Sequence, residues 1–172
     1  MANSTAPTAH KNELLDSLLH NDKKRVAIGV FCGLVAGCVM LFITTFFTPV
    51  GAGSLWWLQL TASICFGGEA SVFNPPSSII VDGALWHFGV SAFLGLLFGK
   101  MTQSTNVRKL MTYGLVLGGL CWLASNMFAP DFLNIHALGT VNQWTRMLFF
   151  QSFTLSLAVL MSILTSSSKP KV

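Results

Sequence analysis

The sequence predicts an all-α integral membrane protein: a four-transmembrane-helix bundle with an N-terminal amphipathic helix and a short interfacial or re-entrant helix. Three observations carry this. First, 52% of the residues are hydrophobic and 9% are charged, against about 25% charged in an ordinary soluble domain. So few charges cannot cover a globular surface, and the expected exterior is lipid. Second, four apolar runs are long enough, at ~1.5 Å per residue, to cross a hydrocarbon core of about 30 Å. Third, the basic residues stand at the ends of those runs, where they act as topology signals. The net charge of +4 therefore does not point to nucleic acid, because no basic patch with interleaved aromatics is present.

Residues 1–24 form a tail and an amphipathic helix. Leu14, Leu15, Leu18 and Leu19 fall on one helical stripe, with Lys11, Asp16, Asn21 and Asp22 elsewhere, the pattern of a helix lying in a membrane surface or docking on a partner. The following apolar run is longer than a signal-peptide core and lacks a clear small-residue cleavage site, so no cleavable signal is expected. Residues 25–166 form the membrane domain and 167–172 a polar, basic tail.

The first span, 26–47, follows Lys23, Lys24 and Arg25 and carries Gly29, Gly33 and Gly37 at four-residue spacing. Such a double GxxxG lets another helix approach closely. Pro49 stops it. Residues 51–72 are apolar but short, interrupted by Gln59, Gly67 and Gly68, with Trp56 and Trp57 expected at an interface. The second span, 80–101, carries His87, and steps of four from it reach Ser91, Gly95 and Gly99. That face sets an ionisable ring in line with small residues, the kind of face turned toward other helices. The third span, 110–128, enters after Arg108 and Lys109 and holds Gly114 and Gly118, and the fourth runs over 144–164.

Four spans place both termini on one side with Lys11, Lys23, Lys24, Arg25, Lys100, Arg108, Lys109, Lys169 and Lys171, leaving Arg146 opposite. By the positive-inside rule that side is cytoplasmic. A fifth span through 51–72 would move three of these basic residues across. The first and third spans also match: Gly33, Leu34, Val35, Gly37, Phe47 and Pro49 recur as Gly114, Leu115, Val116, Gly118, Phe128 and Pro130. The pattern is that of two related hairpins in parallel orientation.

Polar residues of the spans, Thr44, Thr45, His87, Ser91, Ser125, Asn126, Gln151 and Thr154, fall at similar depth and form an expected polar layer toward the outside. Intramembrane polar groups are functional-site candidates, and interhelical hydrogen bonding is the plainer use of them. A cofactor site would draw on His87, Ser91, Asn126 and Gln151. As a haem ligand, His87 would need a second ligand such as Met127, Met40 or His136. As a copper site it would combine with Cys38 and Met127 or Met40, and at the surface with Glu69, Asp82 and His136. As a quinone- or proton-binding group it needs one partner, Gln151 or Asp82. The four cysteines show no zinc spacing and read as small buried hydrophobes. Arg146 is expected to pair with Glu69, Asp82 or Asp131. No HExxH, P-loop, GxGxxG or Ser/His/Asp pattern supports hydrolytic or nucleotide chemistry.

The WHxxxSxxxGxxxG run over 86–99 and the glycine-rich third span ending at Pro130 resemble small uncharacterised bacterial four-helix membrane proteins of the domain-of-unknown-function type. The resemblance implies a bacterial inner-membrane protein and brings no activity with it. The functional expectation is a non-enzymatic protein acting through helix contacts, as a homo-oligomer or an accessory subunit. A redox protein using haem, copper or quinone at His87 is the alternative, followed by an oligomeric transporter or channel.

Overall fold

The computed structural model describes residues 6–47, 55–66, 77–102, 104–127 and 141–166, with side chains from 23 onward except 63–66 and 77. All the regular structure among them is helical: α1 (Ala6–Thr45), α2 (Trp56–Phe66), α3 (Ser77–Met101), α4 (Val107–Met127) and α5 (Gln143–Ser166). Four of these are long and apolar enough to cross a membrane: α3, α4, α5 and the Lys23–Thr45 part of α1. With 11 residues, α2 is only ~16 Å long and cannot cross. This resolves the ambiguous 51–72 region into a short helix and leaves its flanking turns, with Gly67, Gly68 and Pro49, outside the described residues.

The amphipathic segment is not a separate element. Residues 6–24 continue without a break into the first span as one 40-residue helix. The reason is local: nothing between Lys11 and Arg25 is Gly or Pro, and Leu, Glu, Lys and Arg dominate the stretch, so no residue there carries a stop signal.

The helices pack as an open row rather than a closed bundle. Helix α1 packs on α3 and on α5, α5 packs also on α4, and α2 packs on α3. Among the described residues α3 and α4 have no comparable contact with each other. The order across the row is therefore α3, α1, α5, α4. Burial follows it: 39% and 33% of the apolar windows of α5 and α1 are buried, against 22% and 17% for α3 and α4 at the edges. The central core is Cys32, Ala36 and Met40 of α1 with Phe149, Phe153, Leu157 and Met161 of α5.

Close backbone approach joins α1 to α3. A Cβ added to Gly33 would collide with the Ser91 carbonyl oxygen and stand 3.0 Å from the Gly95 Cα, and one on Gly95 would collide with the Gly29 carbonyl oxygen. Gly99 meets Arg25 and Gly29, while Gly37 meets Ser91 and His87, so the two helices run antiparallel. The second hairpin repeats the scheme more loosely: Gly114 lies against Thr154 and Ala158, and Gly118 against Thr154 and Gln151. In both hairpins the glycine helix meets small residues spaced four apart, Ser91 and Gly95 or Thr154 and Ala158.

Antiparallel packing brings the start of α1, the end of α3 and the start of α4 to one end, the basic end. There the Arg25 guanidinium donates to the carbonyl oxygens of Thr102 and Ser104, tying the α3–α4 linker to α1. At the opposite end α2 lies on α3, with Gly83 against the Leu58 carbonyl and Thr61 Oγ1 donating to the Gly83 carbonyl at 3.1 Å.

Because the obstruction at Gly33 is backbone, Gly33→Ala is expected to destabilise the protein by about 1–3 kcal/mol. Gly89 and Gly119 have nothing within 4 Å of an added Cβ, so alanine there is expected to be neutral or to stabilise by about 0.5–1 kcal/mol through helix propensity. Unfolding of the three variants in mixed detergent checks the contrast.

Candidate functional site

Three side chains cross between helices inside the hairpins: Trp122 Nε1 of α4 donates to the Gln143 carbonyl at the start of α5 at 3.0 Å, and two more reach carbonyls within the spans. On α3, His87 is 6% exposed and its Nε2 lies 3.1 Å from the Gly37 carbonyl oxygen. Since a carbonyl only accepts, Nε2 carries the hydrogen. A Cβ at Gly37 would stand 3.5 Å from Nε2, an ordinary contact, but 2.7 Å from Ser91 Oγ, so the missing side chain makes room for Ser91 beside the ring. On α5, Gln151 Nε2 donates to the Leu115 carbonyl of α4 at 3.2 Å. Each hairpin thus has one long polar side chain on its returning helix that reaches a carbonyl of its glycine helix.

The remaining members of the expected polar layer do not pair across helices in this way. Thr44 Oγ1 donates to the Leu41 carbonyl at 2.7 Å, Ser125 to Trp122 at 2.7 Å, Asn126 Nδ2 to Trp122 at 2.8 Å and Thr154 Oγ1 to Phe150 at 3.0 Å. Short hydroxyls in helices bond the carbonyl three or four residues back. Of the cofactor set, His87 and Ser91 adjoin Gly37 on the α1–α3 seam, Gln151 lies on the α4–α5 seam, and Asn126 is bound within α4.

The metal set of His87, Met127 and Cys38 is not gathered either. His87 is buried, whereas Met127 is 63% exposed and Cys38 is also exposed. Cys32 is fully buried and Cys121 half-buried. Among the described residues no group of three or more His, Cys, Asp or Glu is placed to hold a metal. His136, Glu69 and Asp131 lie outside the described residues.

Trp56 and Trp57, expected at an interface, are 6% and 4% exposed and pack on the aromatic end of α5. Trp57 meets Phe149 edge-to-face at 5.0 Å, Trp56 meets it at 6.2 Å, and Phe47 of the turn after α1 meets it at 5.6 Å. Trp56 Nε1 donates to the Thr44 carbonyl at 3.2 Å, a carbonyl near the end of α1 that also accepts from the Phe47 N–H. Arg146, one turn before Phe149 on the same face of α5, is 8% exposed.

No protein family, characterised protein or solved structure matches this chain. The class the fold defines is a helical protein with four helices able to span a membrane.

The crossing bond gives His87 a testable structural weight. His87→Ala removes a buried bond and a packed ring, and a loss of about 1–3 kcal/mol is expected. Asn126→Ala, which gives up only a bond within its own helix, is expected to change stability by less than about 0.5 kcal/mol. Chemical or detergent unfolding monitored by circular dichroism distinguishes them.

Proposed function

We propose that the protein is a non-enzymatic, polytopic membrane protein that works through helix contacts, as a homo-oligomer or as an accessory subunit of a membrane complex. The open row carries this reading. Its edge helices present continuous apolar faces, with Val81, Leu85, Trp86, Val90 and Phe93 exposed on α3 and Tyr113, Val116, Leu120 and Leu123 exposed on α4. A protein whose interior polar groups are engaged in packing has its unused surface on those edges. Small residues and crossing hydrogen bonds are the means by which membrane helices associate, and this chain already uses both within its own hairpins.

The setting that fits is a bacterial inner membrane with both termini in the cytoplasm. Support comes from the basic end, where Lys23, Lys24, Lys100, Arg108 and Lys109 are all exposed at the start of the apolar part of α1, the end of α3 and the start of α4, as the positive-inside rule expects of the cytoplasmic side. The apolar helices would contact lipid wherever they do not contact a partner. The 17 residues of α1 before Lys23, continuous with the first span, would project from this side for about five turns.

Extraction in a mild detergent, followed by light scattering on a sizing column, is expected to give a particle larger than one 18.6 kDa chain, or one containing a second polypeptide. A strictly monomeric particle with nothing co-purifying overturns the proposal. Leu120→Arg on α4, away from the hairpin seam, is expected to shift the particle toward the single chain.

A further inference from the structure

We propose that Arg146 of α5 and Trp57 of α2 form a binding site for an anionic oxygen group, a phosphate or carboxylate, at the end of the row covered by α2. Two separate observations converge on it. Arg146 is 8% exposed, and its Nε is buried without a hydrogen-bond partner. Trp57 is 4% exposed, and its Nε1 is likewise buried and unpartnered. Both groups adjoin Phe149: Trp57 by ring contact at 5.0 Å, Arg146 as the residue one turn away on the same buried stripe of α5.

Chemistry defines the ligand class. A guanidinium and an indole N–H are donors only, and a buried donor without an acceptor is costly, the more so when charged. What such a pair lacks is an acceptor carrying negative charge. The neighbouring tryptophan shows the contrast, because Trp56 Nε1 is satisfied by the Thr44 carbonyl. Arg25 differs in that its terminal nitrogens are anchored on two backbone carbonyls, while its Nε, like that of Arg146, has no partner. Phe47, Trp56 and Phe149 group with the Trp57 ring, and an anion paired with a buried guanidinium is held more strongly in such apolar surroundings than in water. The ligand is an anion free in solution or the phosphate of a lipid headgroup.

The test uses the full chain in neutral detergent, with thermal unfolding followed against inorganic phosphate and, separately, acetate. A saturable rise in the midpoint is expected with at least one of them. Trp57→Phe, which keeps the ring and removes one N–H, is expected to weaken that binding about tenfold. Arg146→Lys, which keeps the charge and removes Nε, is expected to weaken it further, and Arg146→Gln to abolish it. Native mass spectrometry after gentle extraction separates the sources: an acidic phospholipid retained by the wild type and lost in Arg146→Gln assigns the site to a headgroup, and stabilisation of the lipid-free protein by phosphate or acetate assigns it to a free anion. The proposal is overturned if neither anion stabilises the wild type and no acidic lipid is retained. It is equally overturned if Glu69→Gln or Asp131→Asn lowers the midpoint as much as Arg146→Gln while added anions do nothing, since the acceptor then belongs to the chain. None of these outcomes depends on oligomeric state.

Discussion

The contact on which the rest of this structure depends is the backbone-to-backbone seam between α1 and α3. In an apolar surround the hydrophobic effect gives little preference for one helix neighbour over another, so association rests on close packing and on polar contacts between helices. Gly29, Gly33, Gly95 and Gly99 remove every Cβ that would hold the two backbones apart. At that separation carbonyl oxygens of one helix lie against the Cα atoms of the other, the geometry of weak Cα–H···O contacts. The consequences run outward from there. With α3 fixed at this distance, His87 reaches the Gly37 carbonyl. With Gly83 exposed on α3 as a flat spot, α2 settles with its Leu58 carbonyl over it, and α2 in turn places Trp56 and Trp57 on the end of α5.

Much of that seam was legible in the sequence, because an absent Cβ at four-residue spacing is a pattern that composition does not blur. A Cβ added at glycine 29, 33, 37, 95, 99, 114 or 118 would meet a facing helix within 3.5 Å, and Ser91 and Gly95 of α3 both face Gly33. The four membrane-length apolar runs were legible for the same kind of reason, since each is bounded by charge, proline or polar linker, whereas the continuation of the first helix back to Ala6 was not. The order of helices across the row was not. Leu, Phe and Val suit the core and lipid equally, so faces other than the glycine faces carry no sequence mark, and nothing in the chain announces that α3 and α4 stay apart. Nor does residue type tell whether a threonine will bond its own helix or a neighbour. Thr44 and Thr154 bond their own, which follows from side-chain reach and not from polarity.

That difference in reach also explains why the polar content of the helices yields so few interhelical bonds. A hydroxyl one bond from Cβ finds the carbonyl of its own preceding turn before any other acceptor. Imidazole and carboxamide are longer, and His87 and Gln151 cross to Gly37 and Leu115. Both cross at places where a glycine opens the partner helix, Gly37 in one hairpin and Gly118 in the other. The glycine stripe thus does two things at once, bringing backbones together and exposing carbonyl oxygens to a side chain from the facing helix.

The similarity between the hairpins makes the open row more informative than it would be for an unrelated set of helices. The matched segments of the first and third spans place α1 in correspondence with α4, and hence α3 with α5. If a two-fold axis related the hairpins, the packing of α1 on α5 would be accompanied by equal packing of α4 on α3, and the row would close into a bundle. That second contact is missing among the described residues. The arrangement α3, α1, α5, α4 instead repeats by displacement along the row, each hairpin contributing its returning helix first and its glycine helix second. A displacement, unlike a two-fold rotation, does not satisfy its own contacts: it leaves α4 with the unused counterpart of the α1 face and α3 with the unused counterpart of the α5 face. On the proposed reading those two edges are where a further copy or another subunit would add, continuing the α1–α5 seam rather than inventing a new one. The size of any assembly then depends on the small rotation between successive hairpins, which decides whether such a row closes into a ring or is ended by a different partner.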